Sequence, residues 1–296
     1  MNATRRVVKL SPLPARPVDA HKGTFGRVLV IGGNASMIGA PAFAALAAYR
    51  AGCGYVQVAT PRASLLATLA VVPEAIGLAL PTRDLPEALE RADAIVIGPG
   101  LGQSASAKTL VSRVLKCPRT VVIDADALNM LASSKHWPGD VRARCVLTPH
   151  PGEMKRLGGL FGKTDLSDDE ADRIDTATRA SHAFGQVIVL KGFRTIVTDG
   201  KKLYVNRTGT NALARAGSGD VLSGIIASLL AQGMSPFDAA ASGTWLHGTA
   251  GALAAQAQGP RSTLARDVTT FIARAIDAYI RAFGVNDSTH AKPSVR

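Results

Sequence analysis

The sequence predicts an α/β protein with a doubly wound, mostly parallel sheet that is flanked by helices and carries a β-hairpin at one edge. Three observations predict this class. Short β-branched apolar runs recur along the chain, Ala-rich segments long enough for crossover helices separate them, and an Asp-Gly turn joins two further apolar runs. The chain has 296 residues, 47% of them hydrophobic, which is enough for one large core.

The strand candidates are apolar on both faces, as expected of parallel strands that helices cover. Gly, Pro or Asp follows each run within two residues, and the runs are 27–31, 55–59, 94–97, 120–123, 145–147 and 187–190. The hairpin joins 194–198 to 203–205 through Asp199 and Gly200, a pair typical of tight turns between antiparallel strands. The sheet is therefore expected to be parallel with an antiparallel edge.

Two amphipathic helices are predicted after residue 217, because apolar residues recur there every three or four positions. The two apolar faces consist of Val221, Leu222, Ile225, Ile226, Leu229 and Leu230, and of Val268, Phe271, Ile272, Ala275, Ile276, Tyr279, Ile280 and Phe283. We expect the C-terminal helix to pack onto the sheet. Without a low-complexity linker or a repeat, the sequence predicts one domain over 20–284, a flexible basic segment over 1–19 and a flexible tail over 285–296.

Composition excludes several classes of protein. Lys and Arg number 34 against 22 Asp and Glu, a net charge of +12. No basic helix or aromatic platform accompanies this charge, so it favours anionic small molecules over nucleic acid. The three cysteines are an odd number without CxxC spacing, which argues against a disulfide framework or a structural zinc site. No apolar run is long enough for a membrane span, and we expect a cytoplasmic protein.

The motif Gly217-Ser218-Gly219-Asp220 precedes a predicted helix. Small residues let backbone N–H groups converge at the positive end of the helix, which predicts an anion hole for a phosphate. The helix dipole is expected to keep Asp220 ionised, suited to accept a proton from a hydroxyl that is being phosphorylated. The alternative is an ordinary Asp cap after a Gly turn.

Lys191-Gly192-Phe193-Arg194-Thr195 closes a predicted strand with two cations around a glycine, which favours a clamp for the charged tail of a nucleotide. A solvated turn is the alternative. Gly32-Gly33-Asn34 and the segment from Gly98 to Gly102 also end strands, where α/β sheets bind ligands. Neither has the spacing of a dinucleotide fingerprint, so a Rossmann dehydrogenase is disfavoured.

Two further segments carry polar side chains after strands. His150 and Glu153 follow the run 145–147, and His150 is a candidate for substrate contact while Glu153 is a candidate to order magnesium-bound water. A structural turn with His150 as a helix cap is the alternative. Asp124 and Asp126 follow the run 120–123 and are either a metal carboxylate pair or the start of the next helix. The sequence assigns no metal ligand.

Taken in order, these segments resemble the ADP/ATP-dependent NAD(P)H-hydrate dehydratase family of the ribokinase-like superfamily. The resemblance runs from about His21 to Phe283. Its matching blocks are His21-Lys22-Gly23, Gly26 to Gly33, Gly39-Ala40, Val96 to Gly102, Asp124 to Asn129, Thr148 to Glu153, Lys191 to Thr195 and Gly217 to Leu222. Singly these blocks are weak, but the ordered set is specific.

The resemblance implies that the substrate is NADH or NADPH carrying a hydroxyl at C6 of the nicotinamide ring, and that ADP or ATP with Mg²⁺ supplies a phosphoryl group. It implies that the hydrated dinucleotide contacts Ala40, Gly102, His150 and Asp220, and that Asp220 is the base. It implies that the adenine nucleotide is held by Lys191, Gly192, Phe193, Arg194, Thr195 and Gly219. It implies an anion hole formed by Gly217, Ser218 and Gly219. It also implies a homo-oligomer, a tetramer in relatives. No room is expected for the epimerase domain of some relatives, so repair is expected for the S epimer only.

One departure and two rival functions stand beside this resemblance. The family often has an Asn-Pro-Gly-like stretch before the anion hole, where this chain has Thr210-Asn211-Ala212 without the proline. One rival function is a ribokinase-like kinase for a small alcohol, which shares the anion hole and the Asp base. The other rival is a nucleotide sensor without turnover, against which the presence of Asp220 argues.

Overall fold

A computed structural model describes residues 4–134, 137, 139 and 141–286. The strands are β1 Arg5–Arg6, β2 Leu13–Pro14, β3 Arg27–Ile31, β4 Tyr55–Pro61, β5 Ile76–Leu80, β6 Ala94–Ile97, β7 Thr120–Ile123, β8 Arg144–Leu147, β9 Val187–Leu190, β10 Ile196–Thr198, β11 Lys202–Val205 and β12 Val285–Asn286. The helices are α1 Gly39–Arg50, α2 Arg62–Val71, α3 Leu85–Arg91, α4 Ala105–Leu115, α5 Asp126–Ala132, α6 Pro151–Gly158, α7 Glu170–Phe184, α8 Ser218–Ala231, α9 Pro236–Gln258 and α10 Ala265–Phe283.

Ten strands form one sheet in the order β1-β11-β10-β9-β8-β7-β6-β3-β4-β5. All neighbours pair in parallel except β10, which runs antiparallel to both β9 and β11. The predicted parallel sheet with an antiparallel hairpin is confirmed. The chain moves outward from β3 to β5 on one side and from β6 to β11 on the other, so the strand order reverses between β3 and β6. Such a reversal opens a crevice at the carboxyl ends of the strands, where α/β proteins bind ligands.

Each face of the sheet has its own core, which explains why the strands are apolar on both faces. Val28 and Val30 of β3 pack into one core with residues of α1, α8, α9 and α10. Leu29 and Ile31 of the same strand pack into the other core with residues of α3 to α7. Alternate residues of a strand point to opposite faces, so one apolar run supplies both layers.

Two elements differ from the prediction. Strand β5 was not predicted, because it lies at the edge of the sheet, where Ile76 is 51% exposed and Gly77 interrupts the apolar run. Helix α10 packs mainly on α9 and α1, whereas α8 lies directly against β3, β6 and β7. The expectation that the C-terminal helix packs onto the sheet was therefore wrong, because α8 and α9 already occupy that face.

The described part of the N-terminal segment packs against the domain, and its expected flexibility stays a prediction. Leu10 and Leu13 are buried, β1 pairs with β11, and β2 pairs with β12. Burial of these two leucines offsets the entropy of ordering the segment. The domain limits at 20 and 284 stay a prediction, and most of the predicted tail, 287–296, lies outside the described residues. Among the described residues, no helix is long and apolar enough to cross a bilayer.

Candidate functional site

The carboxyl ends of β7 and β9 bring a buried ion pair to the first turn of α8. Asp124 follows β7 and Lys191 follows β9, and the Lys191 Nζ lies 2.7 Å from the Asp124 Oδ1. The same Nζ lies 3.8 Å from the Oε2 of Glu153 in α6. Together with Asp220 in the first turn of α8, these residues are called the buried cluster. It holds three carboxyl groups around one ammonium group.

Asp124 is the anchor of the buried cluster. Its side chain is only 1% exposed, and Ser223 Oγ donates a 2.7 Å hydrogen bond to its second oxygen, Oδ2. Burial opposes the negative charge of Asp124, but Lys191 and Ser223 outweigh burial, so the pKa of Asp124 lies below its usual value. Both oxygens of Asp124 are therefore engaged within the protein.

Asp126, the other candidate metal ligand, has different partners from Asp124. It is the first residue of α5, as one of the two alternatives expected, and it accepts a 2.7 Å hydrogen bond from the Gly102 N–H. Asp124 thus binds Lys191 and Ser223, whereas Asp126 binds the loop after β6. No group of three or more His, Cys, Asp or Glu side chains among the described residues is arranged to hold a metal ion.

Lys191 is a fixed, charged group inside the site. Burial disfavours its positive charge, yet Asp124 and Glu153 outweigh burial, so the pKa of Lys191 is raised above its usual value. Gly219 lies directly above this ammonium group, because a Cβ at that position would be 3.3 Å from the Lys191 Nζ and 3.7 Å from the Asp124 Oδ2. The glycine lets the backbone of α8 approach the ion pair closely.

The first turn of α8 has the free donors that an anion hole needs. Gly217 has a φ of +87°, a left-handed conformation that favours glycine. The N–H groups of Gly219 and Asp220 have no acceptor among the described residues, whereas the Ser218 N–H lies 3.3 Å from the Arg215 carbonyl. The N–H groups of Gly219 and Asp220 are therefore free to bind an anion next to Lys191, whereas the Ser218 N–H already has an acceptor. The anion hole formed by Gly217, Ser218 and Gly219 stays a prediction.

Asp220 lies in an environment that opposes its ionisation. It is half-buried, and no described residue makes a hydrogen bond to its side chain. Burial raises the pKa of Asp220, and the nearby Asp124 and Glu153 raise it further against the effect of Lys191, to about 8. Burial and the two carboxyl groups thus oppose the expected effect of the helix dipole, and the ionisation of Asp220 stays a prediction. A base with a pKa near the working pH suits proton transfer.

His150 caps α6, as the structural alternative predicted. The Nδ1 of His150 accepts a 3.0 Å hydrogen bond from the Gly152 N–H. The backbone N–H of His150 donates a 2.7 Å hydrogen bond to the Glu153 Oε2. Burial and the nearby Lys191 lower the pKa of His150, which favours its neutral ring. Burial raises the pKa of Glu153 to about 7. Contact of His150 with a substrate stays a prediction.

Ala40 packs against the loop after β6 that contains Gly102. A Cβ at Gly100 would lie 3.2 Å from the Ala40 Cβ, so the start of α1 packs on the loop after β6. Asn34 fixes the same loop by donating a 2.9 Å hydrogen bond to the Gly100 carbonyl. The loop also approaches the buried cluster, since a Cβ at Gly98 would lie 1.9 Å from the Asp124 carbonyl oxygen.

The segment Lys191 to Thr195 does not present its two cations together. Arg194 donates a 2.8 Å hydrogen bond to Glu170, which is the first residue of α7. Phe193, between the two cations, is 83% exposed. Glu170 also lies near two further guanidinium groups, 3.8 Å from Arg6 and 3.5 Å from Arg207. Arg6, Glu170, Arg194 and Arg207 are called the exposed cluster. The expected two-cation clamp is therefore divided between a buried and an exposed site.

Sequence reasoning missed three residues that shape the site. Arg173 is buried in α7 and donates to the carbonyls of Lys191, at 3.2 Å, and of Phe193, so it fixes the loop after β9. Ser223 holds Asp124, and His247 in α9 lies against Ser218. These side chains are spread over three helices, and no local motif marks them.

Comparison with known proteins identifies the family. The family model described as NAD(P)H-hydrate dehydratase matches residues 28–274. The chain belongs to the NAD(P)H-hydrate dehydratase family. The ADP-dependent (S)-NAD(P)H-hydrate dehydratase of Neisseria meningitidis is 43% identical over 242 residues, which are 80% of this chain and 79% of that protein.

Longer relatives in this dehydratase family contain a further region. The bifunctional NAD(P)H-hydrate repair enzyme Nnr of Moorella thermoacetica is 41% identical over 278 residues, which are 88% of this chain and 51% of that protein. The Escherichia coli enzyme of the same name is 38% identical over 95% of this chain and 53% of its own length. The chain thus spans about half the length of these curated relatives.

Solved structures of dehydratase relatives share the fold. An ADP/ATP-dependent NAD(P)H-hydrate dehydratase from Bacillus subtilis, co-crystallized with ATP/Mg²⁺, has a TM-score of 0.78 at 29% identity and covers 90% of this chain and 95% of that chain. A ribokinase-like superfamily protein from Enterococcus faecalis has a TM-score of 0.79 at 29% identity, with coverage of 94% and 97%. The predicted ribokinase-like fold is confirmed.

Proposed function

We propose that this chain catalyses the ADP- or ATP-dependent dehydration of the S epimer of hydrated NADH and NADPH, through a transient phosphorylated intermediate. One observation carries the proposal: the free N–H groups of Gly219 and Asp220 converge with the Lys191 ammonium beside a carboxyl group that has no hydrogen-bond partner among the described residues. Donors of this kind stabilise a phosphoryl group, and the carboxyl group supplies the base. The names of the relatives support the choice of substrate.

The first step forms a phosphate ester. Asp220 accepts the proton of the C6 hydroxyl, whose oxygen bonds to the terminal phosphorus while the bond from that phosphorus to the nucleotide breaks. Charge builds on the phosphoryl oxygens, where the two amides and Lys191 lie ready. The pKa of Asp220, about 8, allows the carboxylate to take this proton near neutral pH.

The second step restores the dihydropyridine ring. The lone pair of the ring nitrogen expels phosphate from C6, and the departing phosphate takes the proton that C5 loses as the C5–C6 double bond forms. The hydroxyl oxygen leaves in inorganic phosphate, and the proton that Asp220 accepted in the first step is released to solvent. Phosphorylation therefore turns a poor leaving group into a good one, and the intermediate does not accumulate.

The proposed nucleotide-binding residues lie beside the first turn of α8. We propose that the segment from Lys191 to Thr195, together with Gly219, holds the adenine nucleotide, with Lys191 toward its phosphates. Ala40, Gly102, His150 and Asp220 then face the hydrated dinucleotide across the crevice. Arg173 fixes the carbonyls of the nucleotide loop from behind, and the exposed Arg194 adds a positive charge at its surface.

Of the Asp124 and Glu153 carboxyl groups, Glu153 is the one with an oxygen available to a Mg²⁺ ion or its bound water. Mg²⁺ typically binds one or two carboxylates and keeps waters and substrate phosphates as its other ligands. Both oxygens of Asp124 are engaged, but the Oε1 of Glu153 has only a long 3.5 Å contact with the His150 Nε2. Glu153 would hold the ion through water, and the bound ion would neutralise phosphate charge. Mg²⁺ is thus proposed to arrive with the nucleotide.

The test follows both products at once. The protein is incubated with the S epimer of hydrated NADH or NADPH, Mg²⁺, and ADP or ATP, while inorganic phosphate and the recovered absorbance of the dihydronicotinamide are measured. We expect equal molar amounts of both products, each dependent on nucleotide and on hydrated substrate. The Asp220→Asn variant is the matched control, because it keeps the shape of the side chain.

Other results would assign another function. A stable phosphorylated alcohol without free phosphate would identify a kinase, and nucleotide binding without turnover of either substrate class would identify a sensor. Running ADP beside ATP and NADH hydrate beside NADPH hydrate determines both preferences. A cytoplasmic location and a homotetramer stay predictions.

A further inference from the structure

We infer that His247 is a positioning residue that holds the anion-binding turn of α8 through the side chain of Ser218. His247 lies in α9, far from the predicted motifs in sequence. Its Nε2 lies 3.2 Å from the Ser218 Oγ, and both side chains are buried. This inference rests on the proposed function, because the turn matters only if it holds a phosphoryl group.

Ser218 connects the turn to the body of the protein. It is the first residue of α8, and Gly217 before it has no side chain with which to cap the helix. The Ser218 N–H is held at 3.3 Å by the Arg215 carbonyl, and its hydroxyl points to His247 and not into the crevice. The next two N–H groups stay free for a ligand.

Without His247 the hydroxyl of Ser218 would lack this buried partner. Serine side chains in a first helical turn readily hydrogen-bond to nearby backbone groups. A rotated Ser218 would thus compete with the ligand for the free donors or shift the turn. A shift of about 1 Å in a reacting geometry is worth roughly 100-fold in rate.

The chemistry of His247 suits a fixed, uncharged partner. Burial, with a smaller contribution from the nearby Lys191, lowers the pKa of His247 to about 4. The ring is therefore neutral throughout the working pH range and adds no charge to the turn. Its partner Ser218 accepts or donates the single hydrogen bond, according to the tautomer.

The experiment compares His247→Leu with His247→Gln. The leucine removes the hydrogen bond, whereas the glutamine amide keeps a nitrogen that reaches Ser218. We expect His247→Leu to lower kcat roughly 10- to 100-fold with KM for the nucleotide within about threefold. We expect His247→Gln to retain most of kcat. Ser242→Ala is the matched control, because Ser242 is equally buried in α9 but bonds to Tyr279.

A double-mutant cycle separates positioning from general stability. If His247 acts through Ser218, the double variant of Ser218→Ala with His247→Leu should lose no more kcat than His247→Leu alone. Losses that multiply, or a kcat unchanged in both single variants, would overturn the inference. If His247→Leu does not fold, Ser218→Ala tests the inference instead. A lower kcat with a nearly unchanged KM would support it, and an unchanged kcat would overturn it.

The wild type separates this inference from the proposed function. A wild-type protein that does not dehydrate either hydrated cofactor contradicts the proposed function. A wild-type protein that dehydrates them, with variants that keep full kcat, contradicts the role of His247. Thermal unfolding gives the folded fraction of each variant at the assay temperature. Dividing the measured rate by this fraction corrects kcat for unfolded protein.

Discussion

The two charged clusters at the end of β9 differ in burial and in the sign of their excess charge. In the buried cluster, one ammonium meets three carboxyl groups, and the side chains of Asp124 and Lys191 are 1% and 18% exposed. In the exposed cluster, three guanidinium groups meet Glu170, and the side chains of Glu170 and Arg194 are 26% and 42% exposed. Lys191 and Arg194 are three residues apart, yet they lie in different environments.

Burial determines how much each charge matters. Water screens the exposed cluster, where hydrogen bonding from Arg194 and the other guanidinium groups lower the pKa of Glu170. In the buried cluster, desolvation raises the pKa of Asp220 and of Glu153 to about 8 and about 7. Proximity in sequence therefore does not make two cations equivalent. The buried cation is held among carboxyl groups inside the protein, and the exposed cation lies at the surface.

The largest expected effect is on stability, in Lys191→Met compared with Arg194→Met. Lys191→Met leaves Asp124 buried without its cation, and breaking a buried pair typically lowers the free energy of unfolding by about 3 to 5 kcal/mol. Arg194→Met removes an exposed pair, which contributes about 0 to 1 kcal/mol. Urea unfolding of both variants measures the difference. Equal losses would show that the two clusters do not differ as described.

A second variant tests the cause of the Lys191 effect. Asp124→Leu combined with Lys191→Met removes both charges and both hydrogen-bonding groups of the pair. We expect this double variant to regain part of the lost free energy of unfolding, since replacing a buried ion pair with apolar groups is often neutral. A double variant less stable than Lys191→Met would show that packing, and not the unpaired charge, dominates.

The next effect is on turnover, in Asp220→Asn. The amide keeps the size of the side chain but cannot take the hydroxyl proton, so we expect kcat to fall about 100-fold or more. Adenine-nucleotide binding, measured by calorimetry, should persist. Glu170→Gln in the exposed cluster is the matched carboxyl-to-amide control and should leave kcat nearly unchanged. A near-normal rate in Asp220→Asn would remove this residue from the mechanism.

The pH dependence of kcat/KM should report the raised pKa of Asp220. A carboxyl group acts as a base only after losing its proton, so kcat/KM should rise with pH and level off above about 8. Asp124 and Glu153 raise this pKa, and Lys191 lowers it. Glu153→Gln should therefore shift the rise to lower pH. A profile that is flat above pH 5 would contradict a raised pKa in the free enzyme.

The smallest expected effect is on nucleotide affinity, in Arg194→Ala. Loss of one exposed cation should weaken binding of ADP or ATP only a few-fold and leave binding of the hydrated dinucleotide unchanged. Added salt should reduce the difference from the wild type, because it screens exposed charges. Arg207→Ala controls for the general charge of the exposed cluster. Unchanged nucleotide affinity in both Lys191→Ala and Arg194→Ala would show that this segment does not hold the nucleotide.

The sequence by itself determined the elements whose signal is local. Strands β3, β6, β7 and β9 have the predicted bounds, because an apolar run between two helical layers is buried on both faces. The turn at Asp199 and Gly200 and the glycines before α8 also follow from local backbone preferences. Strand β5 was missed because an edge strand needs less apolar sequence.

Only the tertiary structure decided the partners and the charges of the site. Asp124 and Lys191 are 67 positions apart and Ser223 is 99 positions from Asp124, so no pattern in the sequence pairs them. The strand order brings the ends of β7 and β9 under the first turn of α8. Since a pKa depends on burial and on neighbouring charges, the protonation of Asp220 and the neutrality of His247 follow from this packing and from no local motif.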